Sequence, residues 1–523
     1  MKLQRVTNSP PGLDDRRDKR LCVQLQPPIA FSLEKAQHMI RTVFPEKTPE
    51  FQRTMASTLL EKLNVFFEHP SKKEALAIRL HKKTDGLSLW CVEKTDEICI
   101  TLFQNILNKG DYKKVKEAIS FLIPKDPEKL IKSVKTVIYR VKQEDIEEVR
   151  KGIEMHRQVF AANTIAAQNY FVSPCVVYPT FHRVNKGETL ELQSLRYLQD
   201  LSFIVYGLPL NTPSGPRYLT SLEAIRGLKN IALGIEYLIG IGMSHQDIKP
   251  NNILIKLDRG QLVWHIFDFD CAVNQLPALV EERESYYLNY AARQGVATQE
   301  TDCYSLVLLI IEALIPYLTI FVDEDEECDD ERLERYQKLT SQQIEISERS
   351  QQHFRYEQIK TLKEFLPPES HSLLNPFLYQ KECDSIEAKT NLLIYADSLN
   401  ERGDARGSAA IKNFVTGVYL WDDAFKLLGK VLQVDQAIEN ILDQPELDSD
   451  AASYHEKSDL VCQDAENMMN GEESFENTMI KAMRDHPFPT IGEIKKFLDR
   501  CEVILEEIES LILPIKSAIK IEA

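Results

Sequence analysis

Residues Gly242–Val273 read GMSHQDIKPNNILIKLDRGQLVWHIFDFDCAV. The order of residue types in this stretch decides the fold. A helix leads into it. Thr220-Ser221-Leu222-Glu223 has the form of a capping box, a hydroxyl at the N-cap with a glutamate three residues on. Behind it Leu222, Ile225, Leu228, Ala232, Ile235 and Ile239 recur at helical spacing and make one apolar stripe. Gly240 and Gly242 end the helix. Then come His245-Gln246-Asp247-Ile248-Lys249-Pro250-Asn251-Asn252 and the apolar run Ile253-Leu254-Ile255. A turn at Asp258-Arg259-Gly260 leads to a second short strand that ends Phe267-Asp268-Phe269-Asp270.

These residue types suit phosphoryl transfer. That chemistry needs a carboxylate to orient the attacking hydroxyl and take its proton, oxygen ligands for Mg²⁺, and a cation against the developing charge. Asp247 can orient the hydroxyl, and Lys249, two residues on, can reach a γ-phosphate. Asn252 and Asp268 supply the hard oxygen ligands that Mg²⁺ prefers.

Here the chain resembles the eukaryotic-type serine/threonine protein kinase family, as a divergent member. His245–Asn252 matches the family's H-R-D-L-K-P-x-N catalytic loop, and Asp268-Phe269-Asp270 stands where the family has D-F-G. Thr301-Asp302-Cys303-Tyr304-Ser305-Leu306 resembles the D-x-W/Y-S-L that opens the buried helix of the large lobe. The resemblance implies an α+β, two-lobed fold with a β-rich N-lobe and an α-helical C-lobe. It also implies MgATP as phosphate donor, Asp302 as a brace for the catalytic loop, and a protein hydroxyl as acceptor. Lys249 at its position resembles serine/threonine rather than tyrosine kinases.

The small lobe is less regular. Leu107–Ala118 can be laid on the family's Gly-rich loop, with Gly110 as its middle glycine, Val115 at the valine, and Asn108 and Lys113 at the other two glycine positions. The resemblance implies a phosphate-anchoring lysine near the end of the third strand. Val137, Tyr139 and Val141 alternate, which puts Lys142 on the other face and makes it the first choice, with Lys135 as the fallback. Its acidic partner is expected on the next helix at Glu154, with Glu147 and Glu148 as alternatives. Adenine is expected beside Val205-Tyr206-Gly207-Leu208, so Tyr206 and Leu208 join the nucleotide set.

Several departures matter. Gln246 replaces the arginine that receives an activation-loop phosphate in many kinases, so activity without that phosphate is expected. Tyr290-Ala291-Ala292-Arg293 is the nearest thing to A-P-E. Asp270 in place of glycine has two readings: an extra carboxylate near the metal, or a solvated substitution. It also resembles small-molecule kinases of the aminoglycoside and choline type, which makes these the second enzyme reading. A pseudokinase scaffold is the non-enzymatic alternative, weakened by the intact Asp247, Lys249, Asn252 and Asp268.

Composition bounds the rest. The chain has 523 residues with a net charge of −17, a poor general platform for nucleic acid. Its 10 cysteines include no C-x-x-C pair and read as reduced thiols, not a zinc site or disulfide framework. The start has no apolar h-region, so no secretory signal is expected. Leu306–Val322 is interrupted by Glu312 and Pro316 and is shorter than the ~20 residues of a membrane span, so a core helix is expected and no span.

The expected divisions are an N-terminal tail with a helical and hairpin extension over 1–94, an N-lobe over 95–207 and a C-lobe core over 208–322. A helical insertion or accessory domain covers 323–480, and C-terminal helices cover 481–523. Within them, Leu33–Phe67 reads as helical, Ala75–Leu80 and Leu87–Val92 as a hairpin about Thr84-Asp85-Gly86, and Glu144–Phe160 as the helix after the third strand. Asp323–Glu331 is an acidic loop. His486–Leu498 resembles the last conserved kinase segment, with Phe488 in place of its arginine. Glu502, Glu506, Glu507 and Glu509 either belong to a closing amphipathic helix or resemble the glutamate-rich export signals of type IV-secreted bacterial effectors. The second reading implies a cytoplasmic protein delivered to a host cytosol, acting on host proteins.

Overall fold

The computed structural model describes residues 32–68, 78–79, 88–93, 97–109, 113–124, 130–141, 145–178, 190–202, 208–280, 285, 287–314, 348–378, 385–442 and 488–522. The expectations for Gly110, Lys142, Tyr206, the Thr84-Asp85-Gly86 turn, the acidic tract 323–331 and the tail 1–30 lie outside the described residues. The chain divides into two compact units, one of Met1–Gln143 with Val176–Ser194, the other of Glu144–Cys175 with Leu195–Ala523.

The first unit opens with α1 (Leu33–Val43) and α2 (Pro49–Glu68). The sequence pattern runs through both as one helical stretch, but the chain breaks between them. Pro45 has no N–H to continue the ladder, and Pro49 suits the first turn of the second helix. The strands are β1 (Ile78–Arg79), β2 (Ser88–Glu93), β3 (Glu97–Lys109), β4 (Lys113–Pro124), β5 (Lys132–Val141), β6 (Val176–Tyr178) and β7 (Leu190–Leu195). They form a seven-stranded sheet in the order β1-β2-β3-β4-β5-β7-β6. Ile78 pairs with Leu89, as the hairpin reading requires.

Alternation along β3 and β4 gives the sheet one apolar face. Ile98, Ile100, Leu102, Phe121 and Ile123 bury against Ala36, Met39, Ile40, Leu59 and Leu63 of the two helices. Each large apolar side chain so buried contributes about 1.5–3 kcal/mol. Thr101, on the other face, shares a hydrogen bond with Ser120 at 2.8 Å, and Ser120 shares one with Thr136 at 3.1 Å.

The second unit begins with α3 (Ile146–Ala162) and α4 (Thr164–Tyr170), followed by β8 (Gln199–Asp200), β9 (Leu210–Thr212) and β10 (Gly215–Arg217). Then come α5 (Ser221–Gly240), β11 (Met243–Ser244), β12 (Ile253–Asp258), β13 (Gln261–Ile266) and β14 (Val273–Asn274). After these lie β15 (Ala278–Leu279), α6 (Tyr290–Arg293), β16 (Val296–Ala297) and α7 (Gln299–Leu314). The rest is helical: α8 (Glu348–Phe365), a 3₁₀ stretch over Pro368–Leu378, α9 (Ile386–Glu401), α10 (Ala405–Leu442) and α11 (Ile491–Glu522).

Helix α5 is the spine. Thr220 and Glu223 close the capping box. Gly227 lets the helix approach Trp264, where an added Cβ would lie 2.1 Å from the indole ring. Helix α7 is buried on every side from Thr301 to Leu314, so its sequence is apolar throughout rather than striped. Beyond residue 347 the described helices do not build a core of their own. Phe414 and Leu428 of α10 and Leu498 and Leu505 of α11 share one hydrophobic cluster with Ile235 of α5 and Leu308 of α7. Arg226 of α5 pairs with Glu502 at 2.8 Å and Glu506 at 2.7 Å, and Lys229 pairs with Asp499 at 2.7 Å. Glu502 and Glu506 therefore hold α11 on α5, as a closing helix requires.

Candidate active site

The β12–β13 hairpin brings the two metal-type ligands to one end. Ile253 pairs with Ile266, and Phe267 N–H donates to the Asn252 carbonyl at 2.9 Å. Asn252, just before β12, is thereby level with Phe267-Asp268, just after β13. Both strands are short and apolar, which buries Ile253, Ile255, Trp264 and Ile266 and leaves the hairpin end for polar work.

The loop before it is held from a distance. Asp302, in the first turn of α7, accepts hydrogen bonds from His245 N–H at 2.7 Å, Gln246 N–H at 2.9 Å and the Ser244 hydroxyl at 2.8 Å. It is fully buried; burial pushes its carboxyl up from the usual range, and these three donors pull it back. Gln246 sits at φ 62° and Asp268 at φ 66°, a left-handed conformation unusual outside glycine. Such strain costs about 1–3 kcal/mol and persists only where neighbours over-determine it, as the Asp302 clamp does at Gln246. The Gln246 side chain turns inward, its amide donating to Ser244 Oγ at 2.5 Å and to the Thr298 carbonyl at 3.0 Å.

Three expected residues are brought together. Asn252 Nδ2 donates to Asp247 Oδ2 at 2.6 Å and to the Asp247 carbonyl at 2.9 Å. Lys249 Nζ lies 3.1 Å from Asp247 Oδ1. Asp247 and Lys249 keep partial exposure, while Asn252 is buried. The Asn252 amide nitrogen is spent on Asp247, which leaves its carbonyl oxygen as a ligand of the kind Mg²⁺ takes, and the Asp268 carboxylate is a second oxygen ligand of that kind. The donor set fits a Mg²⁺ ion held by two protein oxygens with phosphate and water completing the shell.

An aromatic cluster supports this loop. The Phe269 ring lies 4.6 Å from His156 of α3, 5.7 Å from Phe171 and 4.8 Å from His245. His245 Nε2 bonds the Phe267 carbonyl at 3.0 Å, and His156 Nε2 bonds the Val172 carbonyl at 2.7 Å. Burial drives both imidazoles down, His156 to about 4, so each is a neutral donor.

The other expected residues sit on other elements. Val115 lies on β4 opposite Asn108 and Tyr139. Leu208 is exposed, and Lys135 is exposed on β5. Glu154 is largely exposed, 3.9 Å from Arg157, while Glu147 pairs with Arg150 at 2.9 Å and Glu148 is exposed. The buried face of α3 carries Gly152, Met155, His156 and Val159 instead. Sequence reasoning missed Gly152 and His156. Gly152, His156 and Val159 stand at i, i+4 and i+7, the spacing of one helical stripe, and Glu154 falls off it.

A family model described as "Protein kinase domain" matches residues 104–417, more than half of the chain. The chain belongs to the protein kinase family. No curated protein matches it. The sheet of the first unit is that of a kinase N-lobe, and the helical second unit is that of a C-lobe. The match begins within β3 and ends within α10, so α1, α2 and α11 lie outside it. As a member of the family this kinase is a phosphotransferase. Among the described residues no helix is long and apolar enough to cross a membrane.

Proposed function

We propose that this kinase is an active serine/threonine protein kinase that uses MgATP and needs no phosphate on the loop from Cys271 to Ala292. The observation that carries this reading is the joined set of Asp247, Lys249 and Asn252 on a loop clamped by Asp302. Asp247 orients the acceptor hydroxyl and takes its proton. Lys249 stands beside it, where a cation offsets charge on the transferred group. Asn252 and Asp268 would hold Mg²⁺, which when bound neutralises phosphate charge.

Two further observations support independence from loop phosphorylation. Gln246 is buried, uncharged and bonded inward, so it offers no positive charge to a phosphate. The end of the loop is already pinned: Asp435 of α10 accepts from the Tyr290 N–H at 2.5 Å and pairs with Arg293 at 3.2 Å. Lys142 is the proposed phosphate-anchoring lysine. Delivery to a host cytosol is a separate proposal resting on the glutamate-rich α11. Glu507 and Glu509 are exposed, and substituting both by glutamine is expected to lower export of a translocation reporter.

The test is incubation of unphosphorylated protein with γ-labelled ATP, Mg²⁺ and a generic basic protein substrate. Label on serine and threonine is expected from the wild type. Asp247→Ala is expected to cut the rate by about 10²–10⁴-fold, the range of a lost general base. Label on small molecules alone would favour the aminoglycoside-type reading. Silence with no stabilisation by MgATP would favour a scaffold.

A further inference from the structure

Helix α11 closes a space as well as a core. Where it meets the start of α5 and the helices α9 and α10, all within the second unit, the side chains leave a cavity of about 240 Å³. Leu222 of α5, Leu393 of α9, Val415 of α10, and Leu505 and Ile508 of α11 line it, and all are buried. An apolar cavity of roughly 150 Å³ takes a benzene, so this one has room for a fused pair of small rings.

The polar groups in the lining already have partners. The Thr220 hydroxyl accepts from Glu223 N–H at 3.2 Å, as the cap of α5. Ser221 Oγ donates to Asn413 Oδ1 at 2.9 Å, and Thr416 Oγ1 donates to the Lys412 carbonyl at 2.9 Å. Lys412 Nζ pairs with Asp397 at 2.9 Å. Glu509 is exposed and keeps its charge in water. The wall therefore holds no buried charge that waits for a counter-ion. A charged guest would lose its hydration and meet no free opposite charge in exchange. A neutral guest buries apolar surface against the aliphatic side chains. The hydroxyl oxygens of Ser221 and Thr416 still have lone pairs, so the cavity can also accept one N–H or O–H.

We propose that this cavity is a binding site for a small neutral molecule of the indole type, with a compact apolar body and one hydrogen-bond donor. Leu505 and Ile508 lie beyond residue 417, where the family match ends, so the site is completed by a helix outside that match. It contains none of the residues assigned to phosphoryl transfer, and the inference does not depend on the kinase reading.

The test is titration of the full chain with indole, indole-3-acetate and tryptamine, read by ligand-observed NMR and by Tm. Indole is expected to bind saturably and to raise Tm, as a ligand that prefers the folded state does. Each charged analogue is expected to bind at least about tenfold more weakly. Val415→Phe and Leu393→Phe fill the cavity from two helices, and each is expected to cut indole affinity at least about tenfold. Circular dichroism identifies which variants fold. Photolabelling of the wild type by a diazirine-bearing indole needs no variant, and label is expected on the peptides that contain Leu393, Val415 or Leu505. No saturable indole binding by the wild type, charged analogues that bind as tightly as indole, full affinity in a folded Val415→Phe or Leu393→Phe, or label confined to other peptides overturns the inference.

Discussion

Two elements meet at the Phe269 ring, the loop that carries His245 and the helix that carries His156. In the loop, the polar groups are concentrated: Asp247, Lys249 and Asn252 stand within six residues, and Lys249 and Asn252 both meet the Asp247 carboxylate. In α3, the contribution is shape and neutrality. Gly152 makes room and His156 packs as an uncharged ring. Groups that must meet one small ligand keep fixed spacing on a short loop. A helix that supports them can change which side chains it uses, provided the surfaces still fit.

The largest stability effect expected is on the loop side. Asp302→Ala would leave two buried backbone N–H groups and the Ser244 hydroxyl without their acceptor. Each such loss costs about 1–3 kcal/mol, so chemical denaturation should show at least about 3 kcal/mol, with activity lost below the unfolding temperature. Near wild-type stability would mean that the loop holds itself, and the contrast with α3 would weaken.

The helix side can be read by pH. Burial holds His156 at about 4, below the ordinary 6.5. The unfolded chain binds a proton near pH 6.5 that the folded state refuses until about 4, so this stability is whole above pH 6.5 and falls as pH drops through the window. The limit is roughly 3 kcal/mol. His156→Phe keeps an aromatic ring beside Phe269 and should flatten the fall of Tm between pH 6.5 and 4. His265, also held at about 4 by burial, leaves part of the slope in place. An unchanged profile would show that His156 titrates normally.

Gly227→Ala tests close approach where no chemistry is involved. An added methyl meets the Trp264 ring, and overpacking of that kind costs about 1–3 kcal/mol, read as a lower Tm. The smallest effect expected is from Arg226→Ala. Its pairs with Glu502 and Glu506 are solvent-exposed and worth about 0–1 kcal/mol, even though they tie α11 to α5. A larger loss would make those ion pairs, rather than Leu498 and Leu505, the chief attachment of α11.

Local signals carried the strands β3, β4 and β5, the capped α5, the β12–β13 hairpin and the buried α7, because alternation, capping and apolar runs act over a few residues. The single helical pattern over Leu33–Phe67 concealed a break, since periodicity persists across a short turn. Arg293 and Asp435 are 142 residues apart, and nothing near either announces the other.

The sequence by itself pointed to the protein kinase family and singled out Asp247, Lys249, Asn252, Asp268 and Asp302 as candidates, because those residue types follow one another in the order that phosphoryl transfer calls for. Tertiary structure decided which face of α3 looks inward, that Asp270 fills the space beside Gly152, and that α10 and α11 complete the core of α5 and α7. Those outcomes depend on which surfaces pack across long stretches of chain, and packing is set by shape and buried area that no local pattern records.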